Sequence, residues 1–176
     1  MQKKFSYPVK IDELSQKEYK FSLDADASER EDIKAVLQVE GVDRFCADIF
    51  LKLNLREHLL RVWGTAEADL VLQSVISLNN FQKHYQADFE LIFDTKATYR
   101  DIKEMDNGIN SDIPDVVLNG TINLADIALE QIALQMEDYP RAEGEVFDFS
   151  PYASAKDDER DANQENPFAV LAKLKK

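Results

Sequence analysis

Three segments in the middle of the chain alternate apolar and polar residues with a period of two. From Phe45 the odd positions are Phe45, Ala47, Ile49, Leu51, Leu53 and Leu55, interleaved with Cys46, Asp48, Phe50, Lys52, Asn54 and Arg56. Leu60, Val62, Ala66, Ala68, Leu70 and Leu72 alternate with Arg61, Thr65, Glu67, Asp69 and Gln73. Tyr85, Ala87, Phe89, Leu91 and Phe93 alternate with His84, Gln86, Asp88 and Glu90. Successive side chains on a strand point to opposite faces, so each segment predicts a strand with one buried and one solvated face. Three in succession predict an antiparallel sheet. The second is long for a strand, and Gly64 within it predicts a bend.

Shorter patterns flank this centre. Phe5, Tyr7, Val9 and Ile11, then Tyr19, Phe21 and Leu23, predict two further strands. Ser28 with Glu31 reads as a capping box opening a helix, with Ile33, Val36 and Leu37 as its apolar stripe and Gly41 as its stop. Asn123, with Asp126 at the third helical position, caps a second helix from about Leu124 to Glu137. Ala125, Leu129, Ile132 and Met136 form its buried stripe, and Tyr139-Pro140 ends it. Residues 94–122 are rich in turn formers and predict a long loop with one short strand at Val116–Leu118. The fold class is α+β: an antiparallel sheet of about five or six strands, open or strongly curled toward a barrel, with two main helices.

Charge divides the chain. Its 176 residues hold 21 Lys+Arg against 34 Asp+Glu, a net charge of −13. Segment 137–165 carries ten acids and three bases, hence −7, which leaves −6 for all other residues. Residues 1–139 are therefore expected to form a single domain. Residues 140–176 are expected to be an acidic, mostly disordered tail ending in the short amphipathic segment Asn166–Lys176. So acidic a chain repels phosphate backbones and anionic lipid over broad surfaces. Cys46 is the single cysteine, and no apolar run has the length of a leader or a membrane span. The expected location is the cytoplasm, with no membrane contact.

Candidate chemistry is sparse. His58 and His84 lack partners at metal-ligand spacing, and Cys46 sits among acids rather than in the electropositive setting a nucleophile needs. Asp106-Asn107-Gly108 fails as a calcium loop, because Lys103 and Met105 would fall at the first and third ligand positions. Phosphate-binding glycine motifs and the nucleophile elbow are missing. The expectation is no enzyme, no metal and no cofactor. Two sets of residues are candidates for contact. Lys83, Tyr85 and Arg100, with Phe81, His84, Tyr99 and Lys103, would make a stacking-plus-charge patch for single-stranded RNA, although core aromatics beside solvated charges explain them more simply. Trp63, in phase with the polar residues of its strand, is either covered by a helix or loop, the favoured reading, or an exposed anchor for a partner.

Four segments in order carry a family resemblance: Phe5-Ser6-Tyr7-Pro8-Val9, the strand from Ala66 through Ser74 to Leu78, Ile122 to Leu134 running into Tyr139-Pro140-Arg141, and the closing Asn166-Pro167-Phe168-Ala169-Val170-Leu171-Ala172-Lys173-Leu174-Lys175. Together they resemble the YceD family, the large ribosomal RNA subunit accumulation proteins, as a cysteine-poor bacterial variant. Many members carry cysteines where this chain has Ser74 and near the C-terminus, where it has none. The resemblance implies a non-enzymatic factor in ribosome biogenesis, supporting synthesis, processing or accumulation of large-subunit ribosomal RNA. With this acidity, the expected partner is a basic ribosomal protein or an rRNA-processing factor, with indirect RNA contact favoured over direct. The alternatives are direct single-stranded RNA binding through the Lys83/Tyr85/Arg100 patch and an enzyme with an undetected acidic site.

Overall fold

A computed structural model of the chain describes residues 5–96 and 114–147. Seven strands and two α-helices occur among them. They are β1 (Pro8–Lys10), β2 (Glu18–Asp24), α1 (Ala27–Leu37), β3 (Gly41–Asn54), β4 (Leu59–Gln73), β5 (Asn80–Asp94), β6 (Asp115–Val116), β7 (Thr121–Asn123) and α2 (Leu124–Gln135). Strands β2-β3-β4-β5-β6 form one sheet in that order, and β1 pairs with β7 in a second, two-stranded sheet. All pairings are antiparallel except β5 with β6, which run parallel with Phe93 opposite Asp115. The larger sheet is open, with β2 and β6 at its edges. Of the two sequence alternatives the barrel is therefore excluded, and the α+β class holds.

Register turns the alternation into rows that cross the sheet. On the buried face Leu23, Ala47, Ala66 and Ala87 lie opposite one another across four strands, and Phe21, Ile49, Gly64 and Phe89 form the row beside them. Phe45, Ala68 and Tyr85 form a third row. Phe45, Ile49, Leu51, Leu60, Val62 and Leu70 have no exposed surface. Each such side chain stabilises the fold by roughly 1.5–3 kcal/mol relative to exposure. Helix α1 packs on β3 and α2 on β4 and β5, and their buried residues join one core with this face.

β4 runs unbroken past Gly64, and its register against both neighbours is continuous there. What the glycine provides there is space. A Cβ at position 64 would lie 2.1 Å from the Asp48 carbonyl oxygen, closer than any side chain tolerates. The ladder's irregularity is instead between Val42 and Arg44 in β3.

Both helices form for local reasons, though α1 departs from the expected cap. Asp26, not Ser28, is its N-cap: the carboxylate accepts from the Ser28 and Glu29 backbone N–H groups at 2.9 Å, and Glu29 accepts from the Asp26 N–H. The same reciprocal logic operates two residues earlier than expected, because Ala27 already has helical geometry. Gln38, in the left-handed region at φ 56°, closes the helix, so Gly41 opens β3 rather than stopping α1. Ile33 is fully buried, whereas Val36 is 58 % exposed and leaves the expected stripe. Asn123 caps α2 as expected, accepting from the Ala125 N–H, and also accepts from the Tyr7 N–H at 2.7 Å, which ties the chain's start to the helix.

The chain divides into two units, Met1–Glu143 and Gly144–Lys176. Within the first unit the Pro140 carbonyl accepts a hydrogen bond from the Val75 N–H. Among the described residues no helix is long and apolar enough to cross a membrane.

Candidate functional site

The solvated face of the large sheet carries an ordered arrangement around Trp63. Lys20, Phe50, Trp63 and Glu90 lie opposite one another across β2, β3, β4 and β5. The rings of Phe50 and Trp63 stack at 5.7 Å with planes 13° apart. Lys20 sits 5.6 Å from the Phe50 ring and Arg61 4.9 Å from the Trp63 ring, so each end of the stack has a cation over an aromatic face.

Both cations are also paired with acids. Arg61 donates two hydrogen bonds to Glu90, at 2.7 and 2.8 Å, and Lys20 contacts Asp48 at 3.1 Å. The Arg61 guanidinium holds the Glu90 carboxyl below the usual carboxylate range. The Ser22 hydroxyl first, and Lys20 next, do the same for Asp48. The next row, Ser22, Asp48, Thr65 and Asp88, adds more acid, with the Thr65 hydroxyl donating to Asp88. The surface thus presents an aromatic pair whose two flanking cations are each engaged by an acid, with Lys52 exposed opposite Arg61 as a further cation on the same face. Helices α1 and α2 pack on the other face, so Trp63 is not covered by a helix; among the described residues, sheet side chains flank it and leave it half-exposed.

Lys83 and Tyr85 do not join this surface. Two apart on β5, they share the covered face, where Tyr85 is 5 % exposed in the core. The Tyr85 hydroxyl donates to Glu137 at 2.7 Å, and the Lys83 ammonium pairs with the other oxygen of the same carboxylate. Lys83 also lies 5.4 Å from the Tyr85 ring. Tyr85 therefore offers no ring for base stacking, and the trio instead fastens the end of α2 to β5. Period-two phase alone places Lys83 with Tyr85 rather than with solvated His84. Arg100, with Tyr99 and Lys103, lies outside the described residues, as do Asn166, Pro167 and Phe168. Tyr139 is 75 % exposed, Arg141 is exposed, and Pro140 contributes the carbonyl that binds Val75.

The remaining candidates are spread apart. Burial first, and then the carboxylates of Glu67 and Asp24 against the opposing pull of Arg44, push the Cys46 thiol above its ordinary range, the reverse of what activates a nucleophile. His84 contacts Asp69 at 2.7 Å, while His58, at φ 56°, turns the β3–β4 connection and accepts from Thr95 through its carbonyl. Among the described residues no three His, Cys, Asp or Glu side chains are grouped to hold a metal.

The Glu137 link predicts a pH dependence. Lys83 first and the Tyr85 hydroxyl next hold its carboxyl below the ordinary glutamate value of 4.5. A carboxyl depressed in the folded state stabilises fully above its unfolded value, and that stabilisation fades as pH falls through the folded one. The melting temperature of the natural chain should exceed that of Glu137→Gln at pH 7, and the gap should shrink below pH 4.5. A gap that is constant with pH would contradict the ionic reading of this contact.

The chain has no match among curated proteins and none among solved structures. The family described as large ribosomal RNA subunit accumulation protein YceD matches residues 62–175, more than half of the chain. That stretch contains three of the four segments that carry the resemblance, from Ala66 to Leu78, from Ile122 to Arg141 and from Asn166 to Lys175. With an antiparallel-dominated sheet and the expected Asn123-capped α2 in place across the described part of the match, the chain belongs to the YceD family.

Proposed function

We propose that this protein is a non-enzymatic, cytoplasmic ribosome-biogenesis factor that supports synthesis, processing or accumulation of large-subunit ribosomal RNA through a basic protein partner. The observation that carries the proposal is membership of a family whose description is large-subunit rRNA accumulation. Protein-mediated action is supported by charge: the net −13 opposes direct binding to a polyphosphate, and the cations beside Trp63 are balanced by Glu90 and Asp48. Half-exposed Trp, Phe and Arg side chains together are what partner contacts concentrate, so the Phe50–Trp63–Arg61 surface is the proposed contact. The −7 of segment 137–165 adds attraction for a basic partner at long range.

Cells lacking the protein should show a lowered ratio of large- to small-subunit ribosomal RNA, restored by the full chain. An unchanged ratio would reject the proposal. Association recovered from extract should survive nuclease treatment, and Trp63→Ala should weaken it by about tenfold or more while the protein stays folded. Complete loss on nuclease treatment would favour direct RNA contact.

A further inference from the structure

On the helix-covered side, the C-terminal end of α1, one side of α2 along its length and the end of β4 line an open groove of about 750 Å³. Its floor is apolar. Leu72 and Leu129 are buried beneath it, Leu37 and Met136 are half-buried in its walls, and Val36 is 58 % exposed at one side. Its rim is acidic. Glu40 stands beside the end of α1, Asp126 and Glu130 lie one turn apart on α2, and Asp138 follows the helix. All four are exposed, and among the described residues no cation pairs with any of them. Lysine, arginine and histidine are all missing from the residues that line the groove. Glu137, also a lining residue, is already held by Lys83 and Tyr85 and serves as fixed wall.

We propose that this groove receives a lysine- or arginine-rich amphipathic segment of a partner protein. The inference rests on the reading that the chain acts through a basic protein, and it assigns that protein a seat. Two features of the groove exclude other occupants. An apolar floor ringed by four unpaired carboxylates repels RNA and anionic lipid. A neutral apolar peptide would desolvate those carboxylates without pairing them, which costs more than the contact returns. A segment with apolar residues at i, i+3, i+4 and i+7 and cations between them answers both features, as in helix-in-groove recognition. It also relieves the like-charge repulsion between Asp126 and Glu130, which as an i, i+4 pair oppose helix stability. The Trp63 surface lies on the opposite face of the sheet, so one partner segment cannot contact both sites.

The test is fluorescence anisotropy of a labelled synthetic peptide titrated with the full-length protein. The peptide is roughly 14 residues of leucine and lysine, with leucines on one helical face. A scrambled peptide of the same composition controls for attraction to segment 137–165, and a single-stranded uridine oligonucleotide tests RNA. The patterned peptide should bind saturably and at least about tenfold more tightly than the scrambled one, with affinity falling as salt rises. Glu40→Lys with Glu130→Lys should weaken it by about tenfold or more. Ala133→Arg, at an exposed helical position lining the groove, should block it with circular dichroism unchanged. Trp63→Ala should bind as the natural chain does. Absent binding, equal binding by the scrambled peptide or by the groove variants, or displacement of the peptide by the oligonucleotide would each overturn the proposal. The rRNA ratio in cells is a separate measurement, so failure of the groove and failure of the family-level function are distinguishable.

Discussion

Phe45→Ala is expected to lower the free energy of unfolding by about 3–5 kcal/mol. The ring has no exposed surface and meets the Phe5 ring edge-on, at 5.4 Å and 76°. Its cross-strand neighbour is Ala68, and the next row inward is Ala47, Ala66 and Ala87. None of these methyl groups reaches into the space a phenyl ring vacates, and β3 and β4, which carry Ala47, Ala66 and Ala68, are paired to a neighbouring strand on each side. The cavity therefore persists, and its full cost adds to the lost transfer energy. The edge-to-face contact with Phe5 adds about 0.5–1.5 kcal/mol more. Urea unfolding followed by the fluorescence of Trp63, the one tryptophan, measures the change. A loss below about 1 kcal/mol would mean the site collapses, contrary to the packing described.

Gly64→Ala is expected to cost about 3 kcal/mol or more, for a single added methyl group. The atoms it would meet are the Asp48 carbonyl oxygen at 2.1 Å and the Asp48 carbonyl carbon and Ile49 Cα at 3.0 Å, all backbone. Relief requires β3 and β4 to separate where both pair continuously, which disturbs the Phe50–Trp63 stack one residue on. Gly41→Ala is the internal comparison: its new Cβ meets only Val71 side-chain atoms at 3.2 Å, which need to give by a few tenths of an ångström. Measured in the same urea series, Gly64→Ala should be the far more damaging change. Similar costs for the two would show that the central strands separate as easily as a side chain shifts. In a domain stable by roughly 5–15 kcal/mol, either of the two large losses is a substantial fraction of the total.

The arrangement around Trp63 was partly legible in the chain. Trp63 falls in phase with Arg61 and Thr65, which is enough to put it on the solvated face, and Phe50 falls in phase with Asp48 and Lys52. That Phe50 and Trp63 sit directly opposite one another is a matter of register, set by the turn between β3 and β4 together with the fit of both buried faces. The Lys83–Tyr85 stacking patch needs an exposed ring, and burial of Tyr85 rather than distance from Lys83 removes it. Strand phase sends both side chains to the covered side, and Glu137, 52 residues beyond Tyr85, completes their contacts. The groove was not legible, since its lining comes from three elements whose approach depends on how two helices settle over one sheet.

By itself the sequence determined what depends on near neighbours: the long strands and their faces, the Asn123 cap, and the placing of charge along the chain. These follow from periods of two and from capping contacts that span three residues or fewer, distances at which chain geometry leaves few choices. Only the tertiary structure decided that the sheet stays open, that β1 pairs with β7, that Gly64 is needed for the Asp48 backbone to approach, and that Glu40 faces the acids of α2 across one apolar floor. Each joins residues far apart in the chain, and which distant surfaces meet is settled by the packing of the whole core rather than by any local rule.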